Sequence, residues 1–395
     1  MTRPPLEVAD IVRAQGNRFI QDHCRWIHWT HRQVLQAIAR CRTAARGGHR
    51  DHCPRCGYQT LSYNSCRDRH CPKCQNGARD RWVAARQNEL WPVTYSHVVF
   101  TLPHPLSPLV LQNQKVLYDL LFRARAETLL EVAADPQPRG AQIGFLSLLH
   151  SWAQNLLHHP HVHCVIPAGG LSFDRHRWVH PRYHFFLPVN LLKRVFRGKF
   201  VDGLKQRFRQ HQLTFAGTLQ PLENEKAFLA FLRPLFRQDW VVHAKPPFRG
   251  PHHVLGYLAR YTHRVAITNQ RLVAFDGQRV TFRWKDYAHG NKKRMMTLTA
   301  SEFLRRFLLH VLPRGLVRIR SFGFLANRRR AKLLPLCQRL LQENPQPQLS
   351  ATVGSTAKPA VFRCPKCATT MIVGEKLSAL TLWQLTLTRT RLDSS

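Results

Sequence analysis

His158-His159-Pro160-His161-Val162-His163-Cys164-Val165-Ile166-Pro167-Ala168-Gly169-Gly170 reads as a short buried strand that ends in a glycine turn. Side chains alternate across a strand, so His161 and His163 share one face while Val162 points into the core behind them. Two imidazoles on one face can share a metal ion. The chain holds 23 histidines, so a chance spacing of two is the competing reading, and the rest of the sequence must decide between them.

Composition narrows the choice. The 395 residues, 44% of them hydrophobic, suffice for two domains or for one large domain with appendages. Sixty Lys and Arg against 22 Asp and Glu give a net charge of +38. Charge of that size, spread over the whole length, points to a polyanionic partner, nucleic acid first. No apolar run is long enough to span a bilayer and no secretory or lipidation signal is visible, so the expectation is a cytoplasmic protein with no membrane partner.

Seven of the 11 cysteines fall between Cys24 and Cys74, which in a reducing compartment argues for metal rather than disulfides. Cys53-Pro54-Arg55-Cys56-Gly57 and Cys71-Pro72-Lys73-Cys74 are two knuckles with the spacing of a zinc ribbon. Each turn offers two thiolates, and the expected structural zinc site is Cys53, Cys56, Cys71 and Cys74. Arg55, Arg67, Asp68, Arg69 and Lys73 make this region too polar for a core of reduced cysteines. Cys41, His49, Cys66 and His70 remain as a candidate second zinc set. Ahead of them, residues 17–40 have the spacing of one basic amphipathic helix. A closed four-thiolate site is structural, so this module, residues 1–91, is expected to bind and position DNA rather than cut it.

Residues 92–340 read as a second domain. Val93–Leu102 is rich in β-branched and aromatic residues, ends at Pro103 and is expected to lie beside the histidine strand. Residues 111–134 and 144–157 carry apolar positions at helical spacing, Asp174–Arg177 marks a hairpin tip, and 189–212 and 222–238 are further expected helices, the first strongly basic. In Gly250-Pro251-His252-His253-Val254-Leu255-Gly256-Tyr257-Leu258-Ala259-Arg260-Tyr261-Thr262-His263-Arg264, the proline suits a first helical turn. Tyr257 and Tyr261 are then one turn apart on the same face, hemmed by His253, Arg260, His263 and Arg264, which is poor company for a core. Asp276-Gly277 joins two strands, and Thr299-Ala300-Ser301-Glu302 is a capping-box helix start. Arg328, Arg329 and Arg330, with Arg260 and Arg264, are candidate DNA contacts. Residues 341–395 form a Pro-, Ser- and Thr-containing linker and a tail whose Cys364-Pro365-Lys366-Cys367 is a single knuckle with no evident partner pair, and no metal is assigned to it.

Together these parts suggest phosphodiester cleavage by tyrosine in an α+β fold. A phenol with a pKa of about 10 is a weak nucleophile, so the phosphate must be made more electrophilic and the phenolate stabilised. A divalent cation on His161 and His163 does both. Imidazoles with an oxygen donor suit manganese or magnesium, and Gln154, His253 and His263 are the candidates for the remaining ligand. Attack leaves a 5′-phosphotyrosine and a free 3′-hydroxyl, and a second tyrosine permits a second cut, as strand transfer requires. The alternatives are a plasmid or phage rolling-circle replication initiator with the same chemistry, and a non-catalytic zinc-containing DNA-binding protein. A carboxylate two-metal transposase fits badly, because the few acidic residues show no such grouping.

HHPHVHCVIPAGG resembles the histidine-hydrophobic-histidine (HUH) motif, GYLARYTHRVAI the two-tyrosine helix and YNSCRDRHCPKCQ the zinc region of bacterial rolling-circle insertion-sequence transposases of the insertion sequence ninety-one type. HVVFTLPHPLSPL and RIRSFGFLANRRRAKL are also similar to that family, and the likeness runs from about residue 41 to 335 in the expected order. The resemblance implies an HUH-endonuclease-like antiparallel sheet flanked by helices, with an N-terminal zinc-ribbon-like module. It also implies cleavage of single-stranded DNA at transposon ends, with Tyr257 and Tyr261 as nucleophiles, His161 and His163 as ligands of Mn2+ or Mg2+, and structural Zn2+.

Overall fold

A computed structural model describes residues 4–87, 91, 93–135, 140–181, 187–248, 254, 265–286, 289–343 and 362–384. The N-terminal region is two helices rather than one. The first, α1 (Val8–Asp22), starts at a capping box in which the Asp10 carboxylate accepts from the Glu7 backbone N–H at 2.8 Å. It ends at His23, and α2 (Trp29–Arg40) returns against it. Val8, Val12, Phe19, Val34, Leu35 and Ile38 form their shared core. One continuous helix could not fold its apolar stripe onto itself; breaking it at 23–28 buries both halves.

Next come β1 (Gly48–His52) and β2 (Gln59–Tyr63), an antiparallel hairpin, and α3 (Pro72–Gln87). The third strand of this small sheet is supplied by the tail: β13 (Ile372–Leu377) pairs antiparallel with β1, giving the order β13-β1-β2. Residues 362–384 are therefore part of the N-terminal module's architecture.

The central sheet is built from β3 (Tyr95–Thr101), β4 (Gly144–Trp152), β5 (His158–Pro167), β8 (Val242–Phe248) and β12 (Ile319–Gly323). Its order is β12-β4-β5-β3-β8 and every pairing is antiparallel. The segment expected to be a helix over 144–157 is thus strand β4. Its Phe145, Leu146, Leu148 and Leu149 fit a helical stripe equally well, because a central strand covered on both faces loses the alternation that identifies a strand. Between β3 and β4 run α4 (Ser107–Gln112) and α5 (Gln114–Ala134). The pair β6 (Gly170–Leu171) and β7 (Trp178–Val179) flanks the expected tip, and α6 (Val189–Arg209) follows. In place of one helix over 222–238 there are a 3-10 turn at Gly217–Glu223 and short helices at Glu225–Leu232 and Pro234–Arg237. Asn224 caps the first through Ala227 N–H, and Pro234, lacking an N–H, starts the second.

One face of the central sheet packs on α5 and α6. Val98, Phe100, Phe145, Leu149, Val162 and Cys164 meet Leu117, Leu121, Phe196 and Phe200 in the largest core. Fully burying each such aliphatic or aromatic side chain contributes roughly 1.5–3 kcal/mol, so this face fixes the register of β3, β4 and β5. A one-residue slip would exchange the two faces of a strand. The expected hairpin is present as β9 (Leu272–Phe275) and β10 (Arg279–Asp286), extended by β11 (Lys292–Thr299). The expected helix start is present at Ala300–Leu308, where Thr299 Oγ1 accepts from Glu302 N–H, while the Glu302 carboxylate accepts from Arg305 and Arg306 instead of closing a capping box.

Candidate metal centre and nucleic-acid interface

The register that buries Val162 and Cys164 turns His161 and His163 to the opposite face, as the alternation in 158–170 predicts. On the neighbouring strand β4, His150 lies directly across from His161, and Leu148 across from His163. The ligand nitrogens of His150, His161 and His163 all lie within 4.8 Å of one another. The His150 ring is steadied by stacking on Trp152, centroids 4.3 Å apart. His150 was hidden from the sequence by the helical reading of its strand. Gln154, a sequence candidate for the remaining ligand, lies beyond the end of β4, and its carbonyl accepts from Arg271 at 2.5 Å. His253, Tyr257, Arg260, Tyr261, His263 and Arg264 lie outside the described residues.

The surroundings prepare His161 as a neutral ligand. Burial pushes His161 down to about 3, with neighbouring His159 adding to the shift. The His161 Nδ1–H donates to the His159 carbonyl at 2.7 Å, which leaves its Nε2 lone pair for the cluster. On β3, buried His97 has its Nε2 2.9 Å from His163 Nδ1, the two rings within 4° of parallel. Donation from His163 Nδ1–H to His97 leaves His163 Nε2 directed to the same point. A second partner that fixes tautomer and ring orientation is the usual companion of a metal-bound histidine. Three imidazoles converging in this way, two of them with a partner on the outer nitrogen, fit a divalent transition-metal ion.

The cysteines divide differently from the spacing-based expectation. Cys41, Cys66, Cys71 and Cys74 form one group and Cys53, Cys56, Cys364 and Cys367 another, the sulfurs of each group within 4.8 Å of one another. The β1–β2 hairpin explains the correction. Cys53 and Cys56 sit at its tip and Cys71 and Cys74 beyond its base, and five-residue strands separate the two ends by roughly 17 Å. His49 and His70 are in neither group. His49 sits 3.5 Å from the Asp51 carboxylate. Buried His70 pairs through Nδ1 with Asp68 and accepts through Nε2 from Leu312 N–H at 3.1 Å, joining the module to the body of the protein. In the first group Cys74 Sγ is 3.6 Å from Cys41 Sγ and 3.5 Å from Cys66 Sγ. Cys71 immediately precedes α3 and Cys74 lies in its first turn, where the positive helix end favours thiolates. Buried Lys73 ties this site to α1 through Glu7 at 2.6 Å.

Beside the hairpin, Arg42, Arg46, His49 and Arg67 with Lys376 of β13 line a groove of about 1250 Å³. Arg42, Arg46, Arg67 and Lys376 are exposed, and a concave cationic surface of this size suits a nucleic-acid backbone. Arg328 and Arg329, exposed in the first turn of the helix Asn327–Glu343, and half-buried Arg330 add positive charge at the end of β12. No helix among the described residues is long and apolar enough to cross a membrane.

Two family models match the chain over the four-cysteine module and over most of the central sheet that carries the histidine cluster. Residues 11–102 match the family Transposase zinc-binding domain, and residues 144–332 match the family named Putative transposase. The class is therefore that of transposases carrying an N-terminal zinc-binding domain. The chain is 51% identical to Putative transposase y4qJ of Sinorhizobium fredii over 86% of its length and 85% of the relative's. It is 30% identical to the Transposase for insertion sequence element IS801 of Pseudomonas savastanoi pv. phaseolicola, over 84% of its length and 80% of the relative's. No solved structure matches. The chain belongs to the IS91-type insertion-sequence transposases.

Proposed function

We propose that the protein nicks and rejoins single-stranded DNA at transposon ends through 5′-phosphotyrosine intermediates, with Tyr257 and Tyr261 as nucleophiles. The observation that carries this reading is the cluster of His150, His161 and His163 on the face of the central sheet opposite α5 and α6. In it these three residues hold a divalent cation, manganese in preference to magnesium because all three donors are nitrogen. When bound, the cation supplies positive charge to the scissile phosphate. His97 keeps His163 in the ligating tautomer. The tyrosine oxygen forms a bond to phosphorus as the bond to the 3′-oxygen breaks; the phenolic proton passes to solvent and the departing 3′-oxygen takes one up. The phosphotyrosine conserves the bond energy, so rejoining by a 3′-hydroxyl needs no nucleotide cofactor.

The chain that follows the tyrosine segment is anchored in the core beside the cluster, which supports the assignment. Strand β8, which pairs with β3, ends at Phe248. Downstream, Val265, Ala266 and Ile267 are buried in the same core as Trp152, the residue stacked on His150. The zinc-binding module, with a structural zinc on Cys41, Cys66, Cys71 and Cys74, positions DNA along its cationic groove, and Arg260, Arg264, Arg328, Arg329 and Arg330 extend the contact.

The test is incubation with labelled single-stranded oligonucleotides from the element ends and Mn2+, followed by denaturing electrophoresis. A covalent protein–DNA adduct is expected. It should vanish in the Tyr257→Phe, Tyr261→Phe double variant and fall sharply in His161→Ala and His150→Ala. An adduct that survives the double tyrosine variant overturns the assignment.

A further inference from the structure

We propose that Cys53, Cys56, Cys364 and Cys367 bind a zinc ion of their own, forming a clasp that fastens the C-terminal tail to the N-terminal module. Two of these ligands lie beyond both family matches, which end at residues 102 and 332. Cys53 Sγ is 3.4 Å from Cys367 Sγ, and Cys56 Sγ is 3.5 Å from both Cys364 Sγ and Cys367 Sγ. These separations are far longer than a disulfide bond of about 2.05 Å. They approach the edge, about 3.8 Å, of a tetrahedron of sulfurs each about 2.3 Å from zinc.

The two halves of the site are copies of one local structure. Cys53-Pro54-Arg55-Cys56-Gly57 and Cys364-Pro365-Lys366-Cys367-Ala368 are each closed by the same pair of backbone bonds. Cys53 N–H donates to the Tyr58 carbonyl and Gly57 N–H to the Cys53 carbonyl, at 2.8 and 3.0 Å; Cys364 N–H donates to Thr369 and Ala368 N–H to Cys364, at 2.8 and 2.9 Å. The residue after the second cysteine is left-handed in both, Gly57 at φ 70° and Ala368 at φ 58°. Glycine adopts that conformation freely, whereas alanine is strained there and keeps it only where the surroundings impose it. Four thiolates drawn to one ion impose it.

Apolar burial gives the tail only a small hold, through Met371, Leu377 and Leu382. The core beneath the clasp consists of Cys53, Cys364 and Met371, with Tyr58 and Cys367 at its rim. On β13, Ile372 and Val373 remain exposed. A strand with so little buried surface needs a staple, and a closed tetrathiolate site supplies one. The clasp also seats Lys376 and Leu377 as a wall of the cationic groove.

Zinc per protein chain, measured by elemental mass spectrometry on the full-length protein, tests the proposal. Cys364→Ser with Cys367→Ser should remove one equivalent relative to wild type, and so should Cys53→Ser with Cys56→Ser. The quadruple variant should lose no more than either pair. Cys364→His, which keeps a zinc ligand, should retain the equivalent, which separates loss of a ligand from general misfolding. Hydrogen exchange of the β13 amides, slow in wild type, should become fast in the Cys364→Ser, Cys367→Ser variant while β5 stays protected. An unchanged zinc content in either pair, or additive losses in the quadruple variant, overturns the clasp.

Discussion

Replacing His97 by phenylalanine tests the histidine centre without touching any residue that would contact DNA or metal. His97 is 1% exposed on β3 and its Nε2 lies 2.9 Å from His163 Nδ1. The ring volume survives in His97→Phe, but the His163 Nδ1–H is left buried beside a carbon edge. An unsatisfied buried donor costs about 1–3 kcal/mol, and loss of the outer partner of a metal-bound histidine typically weakens the metal 10–100-fold, about 1.4–2.8 kcal/mol. The assay is Mn2+ titration of metal-stripped protein, followed by adduct formation over the same Mn2+ range. His97→Phe should shift both curves 10–100-fold to higher Mn2+, while saturating Mn2+ restores most of the adduct. His97→Gln, whose carboxamide oxygen can accept the same proton, should recover a large part of the affinity. Wild-type Mn2+ affinity in His97→Phe would refute the reasoning, because His163 would then need no partner to present its Nε2.

Two further expectations concern stability and DNA. Burial holds His158 down to about 3 and His310 down to about 4, each below the ordinary 6.5. Between pH 6.5 and about 4 the unfolded chain protonates both while the folded chain does not, so stability falls with pH by up to about 1.4 kcal/mol per unit for each group. Urea midpoints measured in zinc-containing buffer across that window should therefore drop, and His310→Gln should flatten the slope by about one proton; an unchanged slope contradicts the assignment. In the groove, Arg42→Ala, Arg46→Ala and Lys376→Ala together remove three of the cations that line it. The slope of log affinity for single-stranded DNA against log salt should become shallower by about 2, and an identical slope would place the DNA elsewhere.

The sequence by itself determined what depends on local chemistry. The alternation in 158–167 placed His161 and His163 on one face, Thr299 to Glu302 began a helix, Asp276-Gly277 joined two strands, and the clustered cysteines required metal. Each is decided by residues within a few positions of one another. Tertiary structure decided the rest, for a physical reason that is the same in each case. His150 joins the histidines because β4 pairs with β5 in the register His150 to His161, and the two-sided burial that makes β4 a central strand erased its period-2 signal. Cys53 meets Cys367, 314 residues away, because β13 pairs with β1, whereas the nearer Cys71 is held off by the length of a hairpin. Spacing shows which cysteines can share a turn; only the folded chain shows which turns share an ion.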